Sequence, residues 1–258
     1  MVNDKMVNEE MNILITNDDG WGTQGILTLV RTMLPFGHVI VIAPDGPRSG
    51  AAVGITVNRP MYLTRIDGTD KGLGEAEIYV TNGTPADAIK LAINVLFDGD
   101  AGKIDLVVSG INHGSNASVN VIYSGTMGAC LVAAEHGIPA IGFSYNDHAM
   151  DIDLSQAEKY IPEITRHLAE EETPYGVCYN VNFPVGEIEG IQWTRQCRGH
   201  WEKEMAPHTD DEGRTYYTLV GNFVNLEPDA EDTDEYALSH HRISITPTTL
   251  DFTAYQQL

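Results

Sequence analysis

Asn12-Ile13-Leu14-Ile15-Thr16-Asn17-Asp18-Asp19-Gly20 is the stretch on which the reading of this chain turns. A continuous apolar run closed by a turn residue suits a buried strand of a parallel sheet. In open α/β sheets, ligands bind in the crevice beyond the carboxyl ends of the strands. Asp18 and Asp19 stand at such an end. Two adjacent carboxylates repel each other and lose hydration there, unless something positive lies between them. A divalent metal with hard oxygen ligands is the economical candidate.

Outward from this strand, strand and helix signals alternate. Gly25 to Leu34 carries a helical apolar pattern. His38 to Ala43 is a second strand, closed by Pro44. Ile55-Thr56-Val57, Met61-Tyr62-Leu63 and Ile78 to Thr81 suggest a hairpin or sheet excursion. Thr84-Pro85-Ala86-Asp87 opens a helix: Thr84 can cap, Pro85 suits the first helical position, and Asp87 can close a capping box. That helix is expected to run through Leu96. Ile104 to Val108, Pro139 to Ser144 and Val177 to Phe183 read as strands. Thr126 to His136, stopped by Gly137, and Ser155 to Leu168 read as helices. The βαβ rhythm predicts a doubly wound, mostly parallel sheet. Past Gly190 the rhythm changes to strands at Ile191 to Thr194, Tyr216 to Val220 and Arg242 to Thr246, with an acidic loop at Glu227 to Glu235.

Composition limits the classes of function. The chain has 258 residues, enough for one large domain with a sizeable core. Its net charge is −22, from 15 Lys plus Arg against 37 Asp plus Glu, which argues against nucleic-acid or anionic-membrane partners. No apolar stretch approaches a membrane span. Residues 1–10 are polar and acidic without a signal-peptide core, and read as a disordered N-terminal extension. Cys130, Cys178 and Cys197 show no CxxC spacing and read as reduced buried thiols of a cytoplasmic protein.

Three polar clusters follow three strands: Asn17 to Gly20, Pro44 to Gly50, and Ser109 to Asn116. If the strands are parallel, all three open on one edge of the sheet. Asp18, Asp19, Ser49 and Asn112 then form an all-oxygen shell suited to Mg²⁺, Mn²⁺ or Ca²⁺. A fourth cluster, Tyr123-Ser124-Gly125-Thr126-Met127-Gly128, opens a helix, whose N-terminal N–H groups and dipole suit phosphate. Each cluster alone has a plainer reading: a turn, a loop, or an N-cap. His113 is open to two readings, a group that contacts substrate or donates a proton, or a solvated loop residue. The other histidines fit no zinc spacing. Trp193, Trp201 and Tyr217 could stack a base, against core packing as the default.

These segments, with Gly83-Thr84-Pro85-Ala86-Asp87, Asn180-Val181-Asn182-Phe183-Pro184 and Ser244-Ile245-Thr246-Pro247, occur in an order that resembles the SurE family of metal-dependent survival-protein nucleotidases. The resemblance implies a Rossmann-like three-layer α/β fold in residues 11–189, with a β-rich C-terminal extension in 190–258 that forms a homodimer or homotetramer. It implies hydrolysis of nucleoside 5′- and 3′-monophosphates, with one divalent ion per subunit. Mg²⁺ or Mn²⁺ leads, with Ca²⁺, Co²⁺ or Ni²⁺ as alternatives. The family's metal ligands map onto Asp18, Asp19, Ser49 and Asn112, and Asn116, Ser124, Gly125 and Thr126 are then expected to hold phosphate. Asp18 or Asp19 would take the proton of the attacking water. Two departures stand out: Ala88 where the family often has cysteine, and His240-His241-Arg242 where it commonly has Gly-Tyr. Two rivals remain at this point. One is a haloacid-dehalogenase-type phosphatase, which expects Asp-x-Asp rather than adjacent aspartates. The other is a nucleotide-binding module in which the metal only clamps its ligand.

Overall fold

A computed structural model describes residues 11–149 and 152–255. The expected N-terminal extension, residues 1–10, lies outside them. The opening motif forms β1 (Met11–Thr16), followed by α1 (Gln24–Met33) and β2 (Gly37–Pro44). Then come β3 (Leu63–Ile66), β4 (Glu77–Thr81), α2 (Pro85–Leu91) and β5 (Leu106–His113). α3 (Gly125–Glu135), β6 (Ala140–Tyr145), α4 (Ser155–Glu170) and β7 (Val177–Phe183) complete the alternating part. The remainder holds β8 (Gly190–Trp193), β9 (Gly199–Glu202), β10 (Met205–Thr209), β11 (Thr215–Leu219), β12 (Asn222–Asn225), α5 (Asp234–Ser239) and β13 (Arg242–Thr249).

Among the described residues the main sheet has nine strands in the order β3-β4-β2-β1-β5-β6-β7-β13-β8. From β4 to β7 every neighbouring pair is parallel. β3 joins β4 antiparallel, and β13 joins β7 antiparallel. Side chains of β1 alternate between two cores, as the period of a strand requires. Ile13 and Ile15 pack with Ile26 and Leu29 of α1 and Ile161 and Ile164 of α4. Leu14 packs with Ala88 and Ile89 of α2 and Met127 and Leu131 of α3. The molecule is therefore a three-layer α/β sandwich, and its central strands are buried on both faces.

This order fixes where a ligand can sit. The chain leaves β1 toward β2 on one side, while β5 pairs with β1 on the other. The crevice where such an order reverses is where open α/β sheets bind ligands. Asp18 and Asp19 follow β1, and Asn112 and His113 end β5, so both motifs flank that crevice.

Several segments depart from the expected elements. Ile55-Thr56-Val57 is not a strand. Thr56 donates its N–H and its hydroxyl to the Asp87 carboxylate, at 3.0 and 2.7 Å, which ties the segment to the start of α2 instead of to a sheet edge. The capping box of α2 forms as expected between Thr84 and Asp87. The α-helix itself ends at Leu91 and widens into a π turn over Ala92–Leu96. β9, β10 and β12 lack the buried alternation that would announce them. The acidic loop gives way at Asp234 to α5, capped by the Thr233 hydroxyl. β8 and β13 extend the main sheet, while β9 with β12 and β10 with β11 form separate two-stranded ribbons.

Burial pushes the Asp87 carboxyl up, but hydrogen bonds from Thr56 and Thr84 outweigh it and leave its pKa below the ordinary value. A lowered carboxyl pKa stabilises the fold above the unfolded pKa of about 4, and that contribution is lost as pH falls through the folded value. Asp87→Asn should therefore cost about 1–2 kcal/mol at pH 7. The gap from the parent protein should narrow toward pH 3. Urea unfolding at both pH values measures it, and a gap independent of pH would contradict the account.

Candidate active site

The crevice is organised around Asp18. It is 4% exposed, and the Thr126 hydroxyl donates to its Oδ1 at 2.6 Å across 108 residues of sequence. The Gly125 N–H also favours the charged carboxylate. Burial and the neighbouring Asp19 charge push the Asp18 carboxyl up to about 6, against the lowering effect of Thr126. This contact needs glycine at 125. A Cβ there would stand 2.8 Å from the Asp18 Cβ and 3.0 Å from its Oδ2. Helix α3 thus starts directly against the first carboxylate of the pair.

Asp19 faces the other strand. Its Oδ2 accepts from His113 Nδ1 at 2.9 Å and from the His113 backbone N–H at 3.3 Å. The Asp19 hydrogen bond raises the His113 pKa, against the opposing effect of burial. Asn112 donates its Nδ2 to the Gly114 carbonyl at 2.7 Å. That bond assigns the amide, since only the nitrogen can donate to a carbonyl, and it leaves Oδ1 as an available acceptor. A Cβ on Gly25 would fall on the Ile111 carbonyl, so α1 begins in contact with the end of β5. A register shift between Ser109 and Asn112 in the β5–β6 pairing accompanies the placement of Asn112.

The loop that carries Ser49 is held by backbone contacts of its neighbours. The Arg48 N–H donates to the Asp18 carbonyl at 2.6 Å, and the Trp21 N–H donates to the Pro44 carbonyl at 2.8 Å. These bonds dock the loop after β2 onto the loop after β1. Ser49, the next residue, is exposed.

The expected phosphate residues have specific partners. Ser124 caps α3, its Oγ accepting from the Met127 N–H at 3.1 Å, and its own hydroxyl proton stays free to donate. Thr126 and Gly125 address Asp18, as above. Asn116 is 5% exposed and donates its Nδ2 to Ser144 Oγ at 2.7 Å. Its backbone is held by Asn182 Oδ1 and Asn180 Nδ2, each at 2.8 Å. The loop after β5 is therefore fastened to β6 and β7 by a buried amide network. Sequence reasoning missed Asn180, Asn182 and Ser144 as its anchors. Their signal was available: amides at Asn180 and Asn182 inside an otherwise apolar strand need partners. Of the aromatic candidates, Trp201 donates its Nε1 to Asn120 at 2.8 Å, Trp193 packs edge-on against Tyr179, and Tyr217 is 63% exposed on β11.

Two carboxylates, a carboxamide oxygen and a hydroxyl make a hard, all-oxygen donor set. Among the described residues, no three His, Cys, Asp or Glu side chains group as a metal site. Any ion held here must complete its shell with neutral oxygens, and Mg²⁺ and Mn²⁺ do so readily, with waters in the remaining positions. The residues present fit such an ion. His113 Nε2 is buried without a partner.

Residues 13–203 match the model of the family described as survival protein SurE. The chain belongs to the SurE family. It is 45% identical over 246 residues to the 5′-nucleotidase SurE of Christiangramia forsetii, covering 94% of this chain and 92% of that one. The SurE 5′-nucleotidase of Bacteroides fragilis is 43% identical, covering 97% of this chain and 96% of its own. The crystal structure of the SurE protein from Aquifex aeolicus superimposes with a TM-score of 0.80 at 30% identity, covering 96% of each chain. The SurE resemblance and the α/β sandwich expected from sequence are thus both met. No described helix is long and apolar enough to cross a membrane.

Because Gly125 leaves no room for a side chain beside Asp18, Gly125→Ala should displace that carboxylate. Isothermal titration of the variant with Mn²⁺ should show affinity lower by about tenfold or more. Unchanged affinity would show that the close approach does not position Asp18.

Proposed function

We propose that this protein is a divalent-metal-dependent phosphomonoesterase that hydrolyses nucleoside 5′-monophosphates, and 3′-monophosphates as well, to nucleoside and phosphate. One observation carries the reading: the Thr126 hydroxyl bond to Asp18 joins the carboxylate pair to the N-terminus of α3. A donor set for a cation and a helix end suited to an anion therefore share one crevice. The SurE relatives of Christiangramia forsetii and Bacteroides fragilis are both named 5′-nucleotidases, which supports the same chemistry.

Asp18, Asp19, Ser49 and Asn112 are the residues assigned to hold the ion. A divalent ion bound there supplies Lewis-acid charge that offsets charge on the phosphoryl oxygens. The Ser124 hydroxyl donates to phosphate, and the dipole of α3 favours the anion at Gly125 and Thr126. Asn116 keeps the loop after β5 in place through its buried amide bonds. One carboxylate of the pair takes the proton of the attacking water. In a chain of net charge −22, this local arrangement is what makes an anionic substrate acceptable. The three cysteines are unpaired and buried, which supports a reducing, cytoplasmic setting.

Phosphate release from AMP and GMP, with and without EDTA, tests the activity. Turnover should require added Mg²⁺ or Mn²⁺ and vanish with chelator. Asp19→Ala should lower it by at least about 100-fold. Near-normal turnover in that variant would contradict the assignment, and binding without turnover under every metal would favour the clamp-only module.

We infer in addition that the C-terminal strands carry self-association into a dimer or tetramer. Met205, Tyr217 and Leu219 stand 61%, 63% and 74% exposed on the β10–β11 ribbon, an apolar face that water disfavours. Leu219→Glu should shift the light-scattering mass toward a smaller species. An unchanged mass would place association elsewhere.

A further inference from the structure

We propose that His113 is the positioning residue of the site: its Nδ1–H orients the Asp19 carboxylate toward the divalent ion. The inference rests on the metal-site reading above and assigns a residue that supports the site without joining the donor set.

The geometry is specific. His113 and Asp19 are 94 residues apart in sequence, yet Nδ1 lies 2.9 Å from Asp19 Oδ2. The two side chains are only 9% and 16% exposed, so water competes weakly for the bond. The His113 backbone N–H reaches the same oxygen at 3.3 Å. Two donors from one residue therefore occupy Oδ2 and leave Oδ1 as the oxygen available to the ion. A carboxylate free to rotate would present either oxygen, and ordering it costs entropy when the ion binds. The His113 bond settles that rotation in advance. Groups that hydrogen-bond a metal ligand from behind act in this way, and their loss typically weakens metal binding about 10–100-fold.

The alternative role for His113, direct contact with substrate, requires an imidazole open to the crevice. Here Nδ1 is committed to Asp19, and Nε2 is enclosed and without a partner. The backbone that carries the ring is held as well. His113 pairs with Tyr145 in the β5–β6 ladder, and the adjoining Asn112 is tied to the Gly114 carbonyl. A surface loop histidine would have neither constraint.

Side-chain chemistry separates positioning from bulk. Asparagine carries its Nδ2 two bonds beyond Cβ, where histidine carries Nδ1. Glutamine places its nitrogen one carbon farther out. His113→Asn can therefore keep the donor to Asp19, while His113→Ala and His113→Gln cannot keep it at that place. The backbone N–H remains in all three, so the loss is partial.

The experiment titrates metal-free protein with Mn²⁺ alone, by calorimetry and by the electron paramagnetic resonance of free Mn²⁺. Circular dichroism and thermal melts confirm the fold of each variant. His113→Ala and His113→Gln should bind Mn²⁺ about tenfold more weakly than the parent, and His113→Asn within about threefold of it. If folded His113→Ala matches the parent, or if Asn and Gln behave alike, the positioning role is overturned while the metal site stands. If the parent protein itself binds no Mn²⁺, the metal-site reading fails and this inference falls with it.

Discussion

Two carboxylates on consecutive residues at the end of a buried strand are the constraint to which the rest of the site answers. Asp18 is buried beside Asp19, and burial with that neighbour pushes its carboxyl up to about 6. The protein moderates the cost with donors on both sides. Thr126 and the start of α3 address Asp18 from one flank. His113 addresses Asp19 from the other. Those bonds stabilise the pair without neutralising it, since each donor group leaves other carboxylate surface facing the crevice. A hard divalent ion is the natural complement.

The fold serves this arrangement through close backbone approach. Arg48 to Asp18 and Trp21 to Pro44 stitch the first two loops together. Glycines at 25 and 125 let α1 and α3 start against β5 and Asp18 with no intervening side chain. The buried amides of Asn116, Asn180 and Asn182 fasten the third loop. A buried polar network that is fully paired holds a unique geometry, whereas a half-paired one would be costly. Sites assembled on strand ends and helix starts keep their positions more closely than sites on free loops.

Much of this was legible in the residues. The apolar run of β1, the capping box at Thr84 and Asp87, and the stop at Gly137 have local causes that a sequence displays. The placement of the segments that carry Asp18, Asp19, Ser49 and Asn112 at one edge of the sheet follows from parallel strands alone. What escaped has non-local causes. Thr56 looks like part of a strand until Asp87, 31 residues away, claims both its donors. β10 is largely exposed, so no buried alternation marks it. Ser124 and Thr126 read as an open cradle, yet the Thr126 hydroxyl is already given to Asp18. His113 stayed open to two readings because its partner Asp19 lies in another loop, 94 residues away, and no spacing rule connects the two.

The central claim is that Asp18, Asp19, Ser49 and Asn112 hold one divalent ion beside the start of α3. A crystal soaked with Mn²⁺ and AMP, measured for anomalous scattering, tests it directly. The account predicts a single strong peak within about 2.5 Å of Asp18, Asp19, Ser49 Oγ and Asn112 Oδ1, with the phosphate lying toward Ser124. A peak on other residues, or bound nucleotide with no peak in this crevice, would contradict it.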